Sequence, residues 1–131
     1  MSDSLEKLRS LHFFTGLTTD QLKIVEAACE NKNFEASSIV IKEGDTPDGM
    51  YVILAGSASV IKNGQTISQL KENDFFGELA LLAIAKPRNA TIIADQTLET
   101  LFLPASAFNN IKLGLSTDVF DEIVKRIDGN L

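Results

Sequence analysis

Asp74-Phe75-Phe76-Gly77-Glu78-Leu79-Ala80-Leu81-Leu82, followed after a short connector by Pro87-Arg88-Asn89-Ala90-Thr91, is the stretch on which the reading of this chain turns. Leu79 to Ala83 is rich in good helix formers and predicts one helical turn. Gly77 at its start lets backbone approach a ligand with no side chain in the way. The free N–H groups and dipole of such a turn favour an anion. Arg88 adds a permanently charged, two-pronged contact suited to phosphate oxygens. Glu78 repels a phosphate and fits only as an acceptor for neighbouring hydroxyls, such as those of a ribose. An anion and a sugar hydroxyl held in one short loop predict a nucleotide site.

The 131 residues fit one domain with a single core, and 44% apolar with 23% charged residues is ordinary for a globular chain. The longest apolar run, Leu79 to Ala85, is too short to span a membrane. Met1-Ser2-Asp3 opens an acidic, polar start unlike a secretory signal. A single cysteine, Cys29, cannot form an internal disulfide, so a cytoplasmic setting is expected. A net charge of −6 without a Lys/Arg cluster argues against nucleic acid as a direct partner. Arg88, Lys86 and the loop amides are the candidate sources of local positive potential.

Leu5 to Leu11 reads as a short helix with Leu5, Leu8 and Leu11 near one face, broken by Phe13-Phe14-Thr15-Gly16-Leu17. Thr18 and Gln21 form a capping-box pattern for a helix over about Thr19 to Asn31, whose face carries Leu22, Val25 and Cys29. Cys29 is therefore expected in the core, and the lone His12 has no second ligand at metal spacing. From Phe34 the texture changes to short strands: Ile39–Ile41, Tyr51–Leu54, Ser57–Lys62, Gln65–Leu70, Ala90–Ala94 and Leu98–Leu103. Asn63-Gly64 marks a two-residue hairpin. Strands so short and so evenly spaced predict an antiparallel sandwich or barrel. Two helices close the chain, Ala107–Leu113 and Ser116–Asp128, the second with an apolar stripe of Phe120, Ile123, Val124 and Ile127.

Phe76-Gly77-Glu78-Leu79-Ala80-Leu81-Leu82 with Pro87-Arg88-Asn89-Ala90-Thr91 resembles the phosphate-binding cassette of the cyclic nucleotide-binding domain family. That family includes regulatory subunits of cyclic-AMP-dependent protein kinase, catabolite activator proteins and cyclic-nucleotide-gated channels. Phe13 to Leu17, Ile41 to Asp45 and Met50 to Gly56 resemble its entry segment, first hairpin and following strand. The resemblance implies a mainly β fold with flanking helices, a jelly-roll-like antiparallel β-roll. It divides residues 1–131 into N-terminal helices (1–33), a β-roll (34–104) with the cassette at 75–91, and C-terminal helices (105–131). The family usually carries Gly where Ser37 and Asn73 stand. Asn tolerates positive φ, whereas Ser37 points to a locally different turn.

The ligand the resemblance implies is cyclic AMP or cyclic GMP, with cyclic AMP preferred. Its site is Phe76, Gly77, Glu78, Leu79, Ala80, Arg88, Asn89 and Ala90. Arg88 would pair with the exocyclic phosphate, Glu78 with the ribose 2′-hydroxyl, and amides around Gly77, Leu79 and Ala80 would complete the cradle, with Asn89 near phosphate and base. No further cofactor, no metal and no catalytic residue are expected. A protein partner in signalling is expected, and a homodimer is compatible. The competing reading is a degenerate module that binds no nucleotide and serves protein interaction or dimerisation. Ser37 and Asn89 favour it, and the intact Gly77, Glu78 and Arg88 set opposes it. An enzyme is the weakest reading, since a single His supplies neither a Ser-His-Asp nor a Cys-His set.

Overall fold

The computed structural model describes residues 3–82, 87–111 and 114–128. Three layers follow from the chain order. Helix α1 (Asp3–Ser10), a 3-10 turn (His12–Phe14) and helix α2 (Thr19–Ala27) precede eight strands: β1 (Glu30–Phe34), β2 (Ile39–Ile41), β3 (Gly49–Ala55), β4 (Ala58–Lys62), β5 (Gln65–Leu70), β6 (Phe75–Phe76), β7 (Thr91–Ala94) and β8 (Leu98–Pro104). Helices α3 (Ala105–Ile111) and α4 (Thr117–Asp128) follow. The strands pair antiparallel in two four-stranded sheets, ordered β1-β8-β3-β6 and β2-β7-β4-β5. This is the predicted mainly β fold, an antiparallel roll with flanking helices.

Strand β3 shows how the layers are held. Its residues Gly49-Met50-Tyr51-Val52-Ile53 form an almost continuous apolar run because both of its faces are covered. Met50 and Val52 point to a cluster with Leu8, Phe13, Phe14, Leu22, Leu103 and Phe108, between this sheet and the helices. Tyr51 and Ile53 point the other way, to a second cluster inside the roll with Ile92, Leu98 and Phe102. Strand alternation thus divides one hydrophobic run between two cores.

The capping box closes as predicted, with Gln21 N–H donating to Thr18 Oγ1 at 3.1 Å and Thr18 N–H to Gln21 Oε1 at 2.8 Å. Helix α2, however, ends at Ala27 and not near Asn31, and Glu30–Phe34 is a strand. Pairing with β8, from Glu30 opposite Phe102 to Phe34 opposite Leu98, outweighs the local helical pattern of that segment. Cys29 therefore lies just beyond the helix, half-buried, with its Sγ donating to the Val25 carbonyl at 3.3 Å. Burial, reinforced by Glu26 and Glu30, pushes its thiol up to about 12. Asn63 and Gly64 take φ of 54° and 76°, as their hairpin requires. Ser37 and Asn73 take φ of 71° and 77°, so both non-glycine residues occupy the left-handed region. Helix α3 starts at Ala105, two residues earlier than expected, and the predicted end at Leu113 lies outside the described residues. No helix among the described residues is long and apolar enough to cross a membrane.

Candidate functional site

The quoted stretch forms one loop at the end of the roll. Phe75 and Phe76 make β6 beside β3, with Phe76 opposite Tyr51 and their rings stacked at 5.0 Å and 13°. Gly77 follows at φ 77°, and Glu78–Leu81 then forms a single 3-10 turn in place of an α-helical one. Phe76, Ala80 and Leu81 are buried, which anchors the turn from below, while Leu79 is 54% exposed. The connector residues Ala83, Ile84, Ala85 and Lys86, including the predicted cationic contribution of Lys86, lie outside the described residues.

Arg88 returns to this turn because its backbone is tied to the Glu43–Asp45 corner. Arg88 N–H donates to the Asp45 carbonyl at 2.9 Å, and Gly44 N–H to the Arg88 carbonyl at 2.8 Å. Thr91 Oγ1 accepts from Glu43 N–H at 3.0 Å, extending the same seam. The guanidinium then reaches inward, with only 9% of the side chain exposed. Nη2 donates to the Gly49 carbonyl at 2.8 Å and to Asp48 Oδ1 at 3.2 Å, and Nη1 lies 3.5 Å from the Gly77 carbonyl.

Gly77 is required twice at this point. Its φ lies in the left-handed region, and a Cβ there would sit 2.8 Å from Arg88 Nη1 and 3.0 Å from the Gly49 carbonyl oxygen. The side chain of the next residue, Glu78, is half-buried and carries no hydrogen bond or ion pair among the described residues. The loop therefore holds one nearly buried cation and, beside it, one carboxylate left available as an acceptor. Of the cradle amides, that of Ala80 is already used within the turn, donating to the Gly77 carbonyl at 3.0 Å. Asn89 is exposed and Ala90 half-buried, both on the returning arm next to Arg88.

The structure brings the eight predicted residues into one loop. It adds Asp48, Gly49 and Tyr51, which the sequence reading passed over. Burial raises the Tyr51 phenol to about 12, with the Asp48 carboxylate adding to the shift and Arg88 opposing it. The available signal was Asp48-Gly49 at the head of a long apolar strand, and its relation to Arg88 is a cross-chain contact that spacing does not reveal. No group of three or more His, Cys, Asp or Glu side chains among the described residues is placed to hold a metal.

The apolar stripe of α4 packs in the helical layer. Ile123 and Ile127 of α4 are buried with Phe13, Phe14 and Leu22, in the helical layer outside the roll. Phe120 packs on Phe108 at 5.1 Å, and Arg126 Nη1 donates to the Thr15 carbonyl at 2.5 Å. Ile123 and Ile127 lie in the same buried cluster as Met50 and Val52 of β3, Leu103 of β8 and Phe108 of α3. Helices α3 and α4 also touch the cassette turn itself, through the cluster that contains Leu81.

Known proteins share this fold. The family model for the cyclic nucleotide-binding domain matches residues 31–113. A cAMP-dependent protein kinase regulatory subunit from Mucor circinelloides f. lusitanicus is 41% identical over 104 residues, covering 76% of this chain and 24% of that protein. A cGMP-dependent protein kinase from Plasmodium berghei is 30% identical over 122 residues, 92% of this chain and 14% of that protein. The chain therefore spans under a third of the length of either relative. Among solved structures, the N-terminal domain of a transcriptional regulator from Streptomyces coelicolor superposes with a TM-score of 0.84 at 20% identity, covering 95% of this chain and 91% of that one, a likeness of fold. A mutant regulatory subunit of a cAMP-independent protein kinase A from Trypanosoma brucei, bound to cAMP in its A site, superposes with a TM-score of 0.76 at 28% identity, over 86% of this chain and 42% of that one. The family match spans the roll from β1 through the cassette to α3, and with it the loop that joins Gly77, Glu78 and Arg88: this chain belongs to the cyclic nucleotide-binding domain family.

Proposed function

We propose that residues 1–131 act as one regulatory module that binds a cyclic nucleotide in the loop from Phe76 to Ala90 and performs no chemistry on it. The observation that carries this reading is the pairing of a nearly buried guanidinium, Arg88, with an adjacent carboxylate, Glu78, that has no hydrogen-bond or ion-pair partner among the described residues. A phosphate would take Arg88 in exchange for the exposed Asp48 carboxylate, and Glu78 would accept from the ribose 2′-hydroxyl. The amides of Gly77 and Leu79 line the approach, with that of Ala80 joining if its bond to Gly77 opens. Asn89 faces solvent on the returning arm, where an amide can both donate and accept. That pattern matches the amino and N7 edge of adenine, whereas guanine favours a cation, so cyclic AMP is the preferred ligand. A signalling protein is the expected partner, in keeping with the kinase regulatory context of the relatives, and a cytoplasmic setting goes with it.

One observation favours a second reading. Arg88 already has three protein acceptors, so the loop stands without an anion and is compatible with a module that binds no nucleotide and serves only protein contacts. Thermal unfolding and calorimetry of the chain with each cyclic nucleotide separate the two. A ligand at about a hundred times its dissociation constant adds roughly 2.7 kcal/mol. That corresponds to a rise in melting temperature of about 3–6 °C for a domain of this size. Absence of a shift and of binding heat with both nucleotides at millimolar concentration would establish the second reading.

A further inference from the structure

Strand β1 turns Glu30, Lys32 and Phe34 to one face of its sheet, because side chains alternate along a strand. Phe34 packs on the cluster inside the roll, 6.2 Å from the Tyr51 ring, so Lys32 is directed inward as well. Its backbone is held by Thr100, the partner residue on β8, whose Oγ1 donates to the Lys32 carbonyl at 2.6 Å. The Lys32 ammonium stands 3.9 Å from the centroid of the Phe102 ring, a face that attracts a cation. Phe102 is buried in the same cluster as Tyr51 and Phe76. Among the described residues the Lys32 side chain has no hydrogen bond and no ion pair, so its charge is met by a ring and not by a carboxylate.

The same ring reaches the seat of Arg88. A Cβ on Gly49 would lie 2.7 Å from Phe102 Cε1 and Cζ, so the edge of the ring touches Gly49. Gly49 in turn gives its carbonyl to Arg88 Nη2 at 2.8 Å. Two cations therefore bracket one phenyl ring, Arg88 by way of its edge and Lys32 over its face. The ammonium stands over β8 and the guanidinium is seated on β3, neighbouring strands about 5 Å apart. Phosphate and base lie on opposite sides of a ribose, so a nucleotide anchored on Arg88 carries its base a sugar's width away. The flexible four-carbon stem of lysine can follow a base over that span.

We infer that Lys32 is a specificity-determining residue of the nucleotide site, donating to the N7 and O6 acceptors of a guanine base. The inference rests on the nucleotide reading of the Phe76–Ala90 loop. An ammonium has three donors and no acceptor. Guanine offers two adjacent acceptors on its N7 edge, whereas adenine offers one beside an amino donor. Lys32 thus favours guanine where Asn89 favours adenine, and the two residues pull base choice in opposite directions. The effect of Lys32 is to narrow the preference for cyclic AMP and to admit cyclic GMP as a second ligand.

The test is calorimetric titration of the full chain and of Lys32→Met with cyclic AMP, cyclic GMP and cyclic IMP. Methionine keeps an unbranched apolar stem over Phe102 and removes the charge. Cyclic IMP carries the N7 and O6 acceptors of guanine without its 2-amino group. Lys32→Met should weaken cyclic GMP and cyclic IMP about tenfold and change cyclic AMP by less than about threefold. Equal losses for all three nucleotides, or no loss for any, would overturn the inference while binding to the parent chain left the nucleotide reading in place. The unaltered chain supplies a second check that does not depend on the variant's folding. It should bind cyclic IMP within about threefold of cyclic GMP, and a much weaker cyclic IMP would assign the guanine contact to the 2-amino group and sink the role of Lys32. A parent chain that binds none of the three removes both the inference and the reading beneath it.

Discussion

Asp48 and Arg88 form an ion pair of unequal halves: Nη2 lies 3.2 Å from Oδ1, with the guanidinium side chain 9% exposed and the carboxylate 61%. Solvent screens the acid, so its share of the attraction is small, on the order of 1 kcal/mol or less. The two carbonyls of Gly49 and Gly77 do more to fix the guanidinium, because they belong to the backbone of the strand and turn that frame it. An exposed counter-ion on a buried cation is easily exchanged for a better anion. Asp48→Ala should therefore leave the melting temperature within about 1–3 °C of the parent chain, a change under roughly 1 kcal/mol. A larger loss, measured by thermal unfolding, would show Asp48 to be a structural member of the loop.

Arg88 itself is not dispensable. A charge-assisted contact of its kind contributes ~1.5–3 kcal/mol, so Arg88→Ala should weaken cyclic nucleotide binding by roughly one to two decades. Arg88→Lys should recover little, since a point charge cannot span the Gly49 and Gly77 carbonyls and a phosphate together. Calorimetric titration of the three proteins with cyclic AMP decides it, and full recovery by lysine would reduce Arg88 to a simple charge.

Glu78→Gln separates sugar reading from loop support. The Glu78 side chain has no hydrogen bond or ion pair to lose among the described residues, and Gln keeps its size, so stability should change by no more than about 0.5 kcal/mol. Affinity should fall for ribose cyclic nucleotides and stay nearly unchanged for their 2′-deoxy analogues. Equal losses for both would mean that Glu78 holds the loop.

Much of this site was legible because its members lie close in sequence. Gly77, Glu78 and the apolar residues behind them sit in one run, and Arg88 returns only ten positions after Glu78. The hairpin at Asn63-Gly64 and the capping box at Thr18 were readable for the same reason, since each is a local backbone requirement. What escaped was non-local. Glu30–Phe34 has a polar, helix-compatible texture and becomes a strand only because β8 stands beside it. Asp48 and Gly49 meet Arg88 across about forty residues. Ser37 shows the limit of residue preference as a guide, because the bonds of Ser37 N–H to Ala94 and of Ala94 N–H to Ser38 hold the left-handed turn regardless.

Cys29 and Tyr51 give the fold a weakness at high pH. Both groups are raised to about 12 by burial, from 9.0 and 10.0 respectively. Above the unfolded values the unfolded chain has released protons that the folded chain still binds, so stability falls as pH rises. Their contribution is fully present below about pH 9 and is lost progressively toward pH 12. Urea unfolding midpoints between pH 7 and pH 11 should decline, and Cys29→Ser should flatten the part of the decline that begins near pH 9. At pH 7 the thiol should react with a maleimide only at the rate of local opening.

Helix α4 tests how far the fold and the ligand response are separable. Its Ile123 and Ile127 are buried in the helical layer with Phe13, Phe14 and Leu22. Ile123→Ala leaves a cavity in a close-packed layer and should cost ~2–5 kcal/mol. The contact between the helices and the cassette turn runs through Leu81, whose side chain lies in the same cluster. A lid over the base would lose affinity when α4 is weakened. A core element should lose stability and keep its affinity as long as the protein stays folded. The second outcome is expected: Ile123→Ala should unfold at clearly lower urea and bind cyclic AMP within about threefold of the parent chain, a difference near 0.7 kcal/mol. Removing Thr117 to Leu131 altogether should expose Phe13, Phe14 and Phe108 to water and produce aggregation, which light scattering would detect. A folded, monodisperse remnant would show instead that the N-terminal segment and α3 close the layer by themselves.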